Sequence, residues 1–246
     1  MYDYYLGGGH NLEVDRVAAD KAIALMPDIV AVSRANRAFL QRAVRAILDL
    51  GVRQFLDLGS GIPTVGHVHE IAQAVDPASR VAYVDTDQVA VAHTRRLLEG
   101  VSGVSITRAD LTDPPSVLFA RGVAELLDFG EPIAVIATAV MHFVPDDRDP
   151  HGILNTYRDA TVPGSMLVFS YGAYDATRPE NMDGLKDLYQ KSTSHPLQRR
   201  TDAQIAALLD GWHLLHPGLV HANMWRPDNP TLVPSRASML AALASH

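Results

Sequence analysis

Residues 54–61 read Gln54-Phe55-Leu56-Asp57-Leu58-Gly59-Ser60-Gly61, and this stretch decides the fold. A mostly apolar run of this length suits a buried strand. The two glycines after it suit a tight turn whose backbone takes positive φ. Outward from it the pattern recurs: Arg80 to Asp85, Val104 to Thr107, Pro132 to Thr138 and Met166 to Ser170 are further short apolar runs. Helical spacing lies between them, from Thr64 to Val75 (closed by Asp76-Pro77) and from Asp87 to Gly100. Strand starts thus recur roughly every 25 to 30 residues, the rhythm of a parallel sheet covered on both faces.

Upstream, helical spacing runs from about Leu12 to Met26 and stops at Pro27; Ser33 is expected to cap a second helix reaching Leu50. Tyr2 to Asn11, YDYYLGGGHN, reads as a flexible segment with aromatic anchors, neither strand nor helix interior. Downstream, the apolar runs Trp212 to Leu215 and Leu219 to Trp225 are separated only by His216-Pro217-Gly218. That gap cannot hold a crossover helix, so the two runs are expected to pair antiparallel with each other. One α/β domain spanning 1–246 is expected, with 1–50 as an N-terminal lid and helices and 51–246 as a Rossmann-like core.

Composition narrows the function. The 246 residues are 47% hydrophobic and 20% charged, enough for one large core. Lys and Arg number 21 against 28 for Asp and Glu, a net charge of -7 with no basic run, which argues against a nucleic-acid partner. There is no cysteine, which excludes disulfides, thiolate metal sites and a thiol nucleophile. Apolar runs such as Ile133 to Val140 fall well short of the ~20 residues of a membrane helix, and no secretory signal is visible. A cytoplasmic chain with a small-molecule partner, monomeric or homodimeric, is the expectation.

Open α/β sheets bind ligands at the carboxyl ends of their strands, so the residues just past each strand carry the chemistry. Gly59, Ser60 and Gly61 allow close backbone approach. Asp85, about 25 residues on, is placed to accept from two ribose hydroxyls. Asp110 can accept from an exocyclic amine such as that of adenine. Each feature alone is also explained by a bare turn or a helix cap. Their recurrence in consecutive βα units points to an adenosyl ligand. Nicotinamide and flavin sites require GxGxxG aimed at a pyrophosphate, and the third glycine position here is Thr64. The methyltransferase pattern, an acidic residue and then GxGxG, has Asp57 in place but Pro63 at its last glycine. S-adenosylmethionine has no phosphate and tolerates that departure better.

At this point the chain resembles a known family. YDYYLGGGHN, SRANRAFLQRAV (33–44), FLDLGSGIPT (55–64), VAYVDTDQV (81–89), RADLTDP (108–114), AVMHFVPDD (139–147) and LVHANMWRP (219–227) are similar to the actinobacterial S-adenosyl methyltransferase family once classed as a domain of unknown function. The resemblance implies the class I methyltransferase fold, a mostly parallel seven-stranded sheet with a C-terminal antiparallel hairpin. It implies S-adenosylmethionine as cofactor and methyl transfer to an unassigned acceptor. Asp57, Gly59, Ser60, Gly61, Asp85, Thr86, Asp110, Leu111, Ala139 and Arg37 are the expected cofactor residues. Tyr5, Gly8 and His10 are expected in a lid over the acceptor.

His142 follows the fourth strand, where methyltransferases bring the acceptor to the cofactor, and is the candidate general base. Its bland reading is a pocket-wall histidine satisfied by backbone. Arg34 or Arg37 can pair with the methionine carboxylate from the helix before the first strand. His67, His69 and Glu70 lack metal-ligand spacing and are expected to be an ordinary helix start. The alternative from another class is a non-catalytic, cofactor-binding regulatory module on the same fold.

Overall fold

The computed structural model describes residues 1–62, 66–172, 179–192, 196–229 and 239–246. Pro63 and Thr64, the two departures from glycine patterns, lie outside them. In chain order the first elements are α1 (Tyr2–Tyr5), α2 (Glu13–Leu25), α3 (Ile29–Asp49), β1 (Gln54–Leu58), α4 (Val68–Val75), β2 (Arg80–Asp85), α5 (Gln88–Leu97) and β3 (Val104–Arg108). Then come α6 (Pro114–Leu118), α7 (Arg121–Ala124), β4 (Ile133–Thr138), α8 (Pro150–Asp159), β5 (Met166–Gly172) and α9 (Pro179–Ser192). The chain ends with α10 (Asp202–Ala207), β6 (His213–Leu214), β7 (Val220–His221) and β8 (Met239–Ser245).

The period of two along each strand sorts side chains into two cores, because both directions are apolar. Phe55 of β1, Val81 and Tyr83 of β2, and Ala134 and Ile136 of β4 meet Phe39, Ala43 and Ile47 of α3 on one face. Leu56, Leu58, Ala82, Val84, Val135 and Ala137 meet Ile153, Leu154 and Tyr157 of α8 on the other. Each fully buried Leu, Ile, Val or Phe contributes ~1.5–3 kcal/mol, so the sheet is fixed from both sides.

The sheet order is β3-β2-β1-β4-β5-β8-β6, with β7 also on β8. β1 to β5 pair parallel, and β8 runs antiparallel to β5. The strand order reverses between β1 and β4, the switch point where open sheets form their crevice. The expected Rossmann-like, mostly parallel architecture is therefore present, with its antiparallel element at the far edge.

Three sequence expectations are corrected. The two late runs do not pair with each other; β6 and β7 lie one after the other along the same edge of β8, both antiparallel to it. Between Leu214↔Ala244 and Val220↔Ala241 the edge advances six residues and β8 three, so His216-Pro217-Gly218 bulges outward without reversing the chain. Beyond His221, Ala222 N–H still donates to Met239 O at the start of β8 (2.8 Å), and Arg42 of α3 takes the carbonyls of Ala222 (2.8 Å) and Trp225 (2.9 Å). Second, Ser33 is buried inside α3, whose N-cap is Asp28. Third, Tyr2–Tyr5 is a short helix, where a segment without regular structure was expected.

A third buried cluster joins Tyr5 of α1, Ala19 and Ala22 of α2, Ile29 of α3 and Leu185 of α9. These helices make a roof over the carboxyl ends of the strands. Among the described residues, no helix is long and apolar enough to cross a membrane.

Candidate active site

The turn after β1 is built by its glycines and tied to the end of β2. Gly59 and Gly61 hold φ of +69° and +64°, conformations that side chains resist. The N–H groups of Gly59 and Ser60 donate to Val84 O, and Gly61 N–H donates to Asp85 Oδ2 at 2.7 Å. The other Asp85 oxygen accepts from Asp87 N–H at 2.8 Å. With Thr86 N–H as a further backbone donor, the carboxylate still keeps acceptor capacity for an incoming donor. Burial raises the Asp85 pKa, opposed by these backbone bonds. Asp87 caps α5 through Val89 N–H and Ala90 N–H, which fixes the chain just beyond. Ser60 Oγ is buried without a hydrogen-bond partner among the described residues.

Asp57 points to the α3 face of the sheet and is buried. Desolvation pushes its pKa up to about 7, against the pull of the Arg37 guanidinium and with the push of Asp85. Past β3, Asp110 Oδ1 accepts from Thr112 N–H and Oγ1–H, both at 2.8 Å. Leu111 gives its carbonyl to the buried Tyr157 hydroxyl at 3.0 Å. Past β4, Ala139 has φ of +52°, and its N–H donates to Ser170 O and Oγ.

His142 sits in the 3-10 turn Met141–Phe143 and is 8% exposed. Its Nδ1 accepts a long hydrogen bond, 3.4 Å, from Gly172 N–H at the end of β5. Among the described residues its Nε2 has no partner. Burial, then the positive charge of Arg200, push the ring's pKa down to about 4. Arg200 is itself buried, donating to Tyr171 OH (2.7 Å), Val144 O (2.8 Å), Met141 O (3.3 Å) and the Asp146 carboxylate.

The N-terminal segment is wired to these strand ends. Tyr2 OH donates to Ser33 O (3.1 Å) and accepts from Asn36 Nδ2 (2.9 Å). Asn36 Oδ1 accepts from Ser170 Oγ at 2.6 Å. Asp3 Oδ2 accepts from His10 N–H (3.0 Å) and Asn11 Nδ2 (2.8 Å), closing the glycine loop on itself. Gly8 packs so closely on the Asp3 carboxylate that a Cβ there has no room. His10 reaches His93 of α5, Nδ1 to Nε2 at 2.9 Å. Tyr5 is buried in the roof beside Tyr189, and burial raises its pKa.

One cavity of about 930 Å³ gathers most of the sequence candidates. Arg37, Asp57, Gly59, Ser60, Gly61, Asp85, Thr86, Asp110, Leu111, Ala139, His142 and Tyr5 all line it, together with Asn36. Gly8 and His10 do not; they brace the roof from outside. Arg34 is exposed and away from the cavity, so Arg37 is the arginine that α3 presents. His67 and Glu70 close the start of α4, the Glu70 carboxylate accepting from Gly66 N–H and His67 N–H. Sequence reasoning missed Arg200, Ser170 and the α9 wall of Leu185 and Tyr189.

Comparison with known proteins bears on the family and the fold. A sequence model described as S-adenosyl methyltransferase matches residues 1–246. A DUF574 family protein from Streptomyces avermitilis is 34% identical, with a TM-score of 0.92 over 99% of this chain and 95% of that one. A methyltransferase candidate from Thermobifida fusca is also 34% identical, with a TM-score of 0.90 over 99% and 92%. The magnesium protoporphyrin IX methyltransferase of Synechocystis PCC 6803, solved with bound S-adenosylmethionine, is 13% identical with a TM-score of 0.54 over 90% and 83%, a likeness of fold. No curated protein sequence matches.

Proposed function

The chain belongs to the S-adenosyl methyltransferase family, and on that premise we propose that it transfers a methyl group directly and in line to a small-molecule acceptor. The cofactor is S-adenosylmethionine, which supplies a methyl carbon made electrophilic by its sulfonium. The supporting observation is that one cavity joins the strand-end aspartates to His142. Its volume is at the upper end of the ~300–1,000 Å³ usual for a ligand site, room for a cofactor and a small acceptor together.

The residues fit that cofactor. Asp85 keeps acceptor capacity for a ribose hydroxyl, and Asp110 Oδ2, which accepts nothing among the described residues, can take an adenine amine. Ser60 Oγ, buried and without a partner among the described residues, lines the same turn and wants a polar group from a ligand. Among the described residues nothing lies within 4 Å of where a Cβ on Gly61 would stand, and Gly61 lines the cavity. Arg37 beside Asp57 gives a cation and a carboxylate for the charged amino-acid end. Thr86, Leu111 and Ala139 complete the walls. Holding the acceptor against this frame and excluding water supply most of the rate, and the helical roof does the excluding.

Calorimetry tests this reading. S-adenosylmethionine and S-adenosylhomocysteine are expected to bind and NADH to give no heat. Absence of S-adenosylhomocysteine binding overturns it.

A further inference from the structure

We infer that His142 meets the acceptor as a hydrogen-bond donor through Nε2–H, where sequence suggested a base, and that the acceptor is an aryl compound whose reacting oxygen arrives ionised. The inference rests on the methyltransferase reading above.

The first support is tautomeric. Gly172 N–H can only donate, so the Nδ1 it faces holds a lone pair and the neutral ring carries its proton on Nε2. To accept a proton at Nε2 the ring would have to become a cation beside buried Arg200. Otherwise it would have to change tautomer and set Nδ1–H against Gly172 N–H. Both are unfavourable. The depressed pKa of His142 agrees.

The second is charge. Arg200, 4% exposed and with four hydrogen-bond partners, shares the Tyr171 ring with His142: the guanidinium lies 5.5 Å and the imidazole 5.6 Å from the centre of that ring. Its counter-ion Asp146 is 80% exposed, so water screens the carboxylate far more than the guanidinium. The imidazole therefore lines the cavity with a buried cation nearby, which favours negative charge at that wall. Of the other charged side chains lining the cavity, Arg199 pairs with Asp183, Asp15 with the Met1 ammonium, and Asp3 accepts from His10 and Asn11, while Asp57, Asp85, Asp87 and Asp110 lie with Arg37 and Arg108 on the side proposed for the cofactor.

The third is the wall. Phe143 stands edge-on to His142 at 4.4 Å and 5.8 Å from Tyr189, and Ile29, Leu185 and Leu197 complete an apolar lining. Such a chamber suits a flat aromatic body.

The donor also selects the nucleophile. An amine nitrogen has one lone pair, and a hydrogen bond from Nε2–H would occupy it. An ionised oxygen has several, so one accepts from His142 and another stays free. The acceptor's proton goes to solvent before binding. The free oxygen pair forms the new bond to the methyl carbon, and the pair of the breaking carbon–sulfur bond remains on sulfur. His142 neither gains nor loses a proton.

Two measurements on the complex with S-adenosylhomocysteine decide this. Long-range proton–nitrogen correlation in protein labelled at histidine nitrogen is expected to show the Nε2–H tautomer of His142 near neutral pH. An Nδ1–H tautomer or an imidazolium overturns the donor role. Then 4-nitrophenol, 4-nitrobenzoate and the non-ionising 4-nitroanisole are titrated above the pKa of the phenol. At least one ionised probe should bind about tenfold tighter than the anisole, and which one distinguishes hydroxyl from carboxyl. Equal affinities, or binding of neither ion, overturn the acceptor class. His142→Gln keeps an N–H donor without a base and should keep the preference. His142→Leu should lose it while S-adenosylhomocysteine affinity, which reports folding, stays the same; loss in the Gln variant too, or retention in the Leu variant, overturns the donor role. Failure of S-adenosylhomocysteine to bind takes down the methyltransferase reading and this inference with it. Binding with the wrong tautomer takes down this inference alone.

Discussion

Gly61 N–H and Asp85 Oδ2 meet at 2.7 Å, so the carboxylate that ends β2 also holds the turn that ends β1. Two consecutive βα units are latched together at the proposed ribose site. Asp85→Ala removes both the latch and the ligand's acceptor, and should weaken S-adenosylhomocysteine binding by ~1.5–3 kcal/mol, roughly 10- to 150-fold. Asp85→Asn should also weaken it, because its NH2 must face either Gly61 N–H or Asp87 N–H. Calorimetry on folded variants checks both, and unchanged dissociation constants would remove Asp85 from the site.

Gly59 and Gly61 share a positive φ but differ in surroundings. A Cβ on Gly59 would stand 2.3 Å from Val140 Cγ2, whereas one on Gly61 meets nothing within 4 Å among the described residues. Both alanine variants carry the left-handed backbone cost of ~1–2 kcal/mol. Only Gly59→Ala adds a clash inside the protein. We expect Gly59→Ala to be the less stable in urea unfolding. Gly61→Val should unfold cooperatively yet bind S-adenosylhomocysteine at least about tenfold more weakly. Normal binding by Gly61→Val would mean that this turn does not face the cofactor.

These two glycines show how much was legible in sequence. Strands apolar on both faces, such as Ile133–Thr138, and aspartates placed just past them are local patterns, and the sheet and its crevice follow from them. β8 escaped notice because Met239–Ser245 is mostly alanine and leucine, poor strand formers placed there by burial between β5 and the edge. Arg200 carries no local signal: its partners Met141, Val144 and Asp146 are more than fifty residues away, and only the tertiary fold brings its charge near His142. The Tyr2–Asn36–Ser170 chain is hidden for the same reason. The Tyr2–Tyr5 helix is too short to show a period.

Asp57 and His142 tilt stability in opposite directions over one pH window. The folded pKa of Asp57 is raised to about 7, so its contribution is present below the unfolded carboxylate pKa and is lost as pH rises from about 4 to about 7. The folded pKa of His142 is lowered to about 4, so its contribution is present above about 6.5 and is lost as pH falls towards 4. Each amounts to roughly 3–4 kcal/mol, and in the wild type they largely cancel. Urea unfolding between pH 4 and 7 should therefore show Asp57→Asn gaining stability as pH rises. His142→Leu should lose it. Parallel profiles for the two variants would contradict the opposing assignments.

The N-terminus gives the remaining prediction. Tyr2 OH, Asn36, Ser170 and Ala139 N–H form one hydrogen-bonded chain from the first helix to the ends of β4 and β5, where Ala139 lines the proposed cofactor wall. A ligand that fixes Ala139 should therefore be felt at Tyr2. We expect residues 1–11 to gain hydrogen-exchange protection when S-adenosylhomocysteine binds, as a lid would. Tyr2→Phe breaks the chain at one atom, keeps the ring, and leaves Asn36 Nδ2 without its partner, a cost of ~1–3 kcal/mol. In that variant the protection gained on binding should shrink, while exchange in β1 and β4 stays as in the wild type. Equal exchange of residues 1–11 with and without ligand would reduce the segment to packing on the sheet edge. An undiminished gain in Tyr2→Phe would leave the lid but route its coupling through the buried Tyr5 contact with Tyr189 instead.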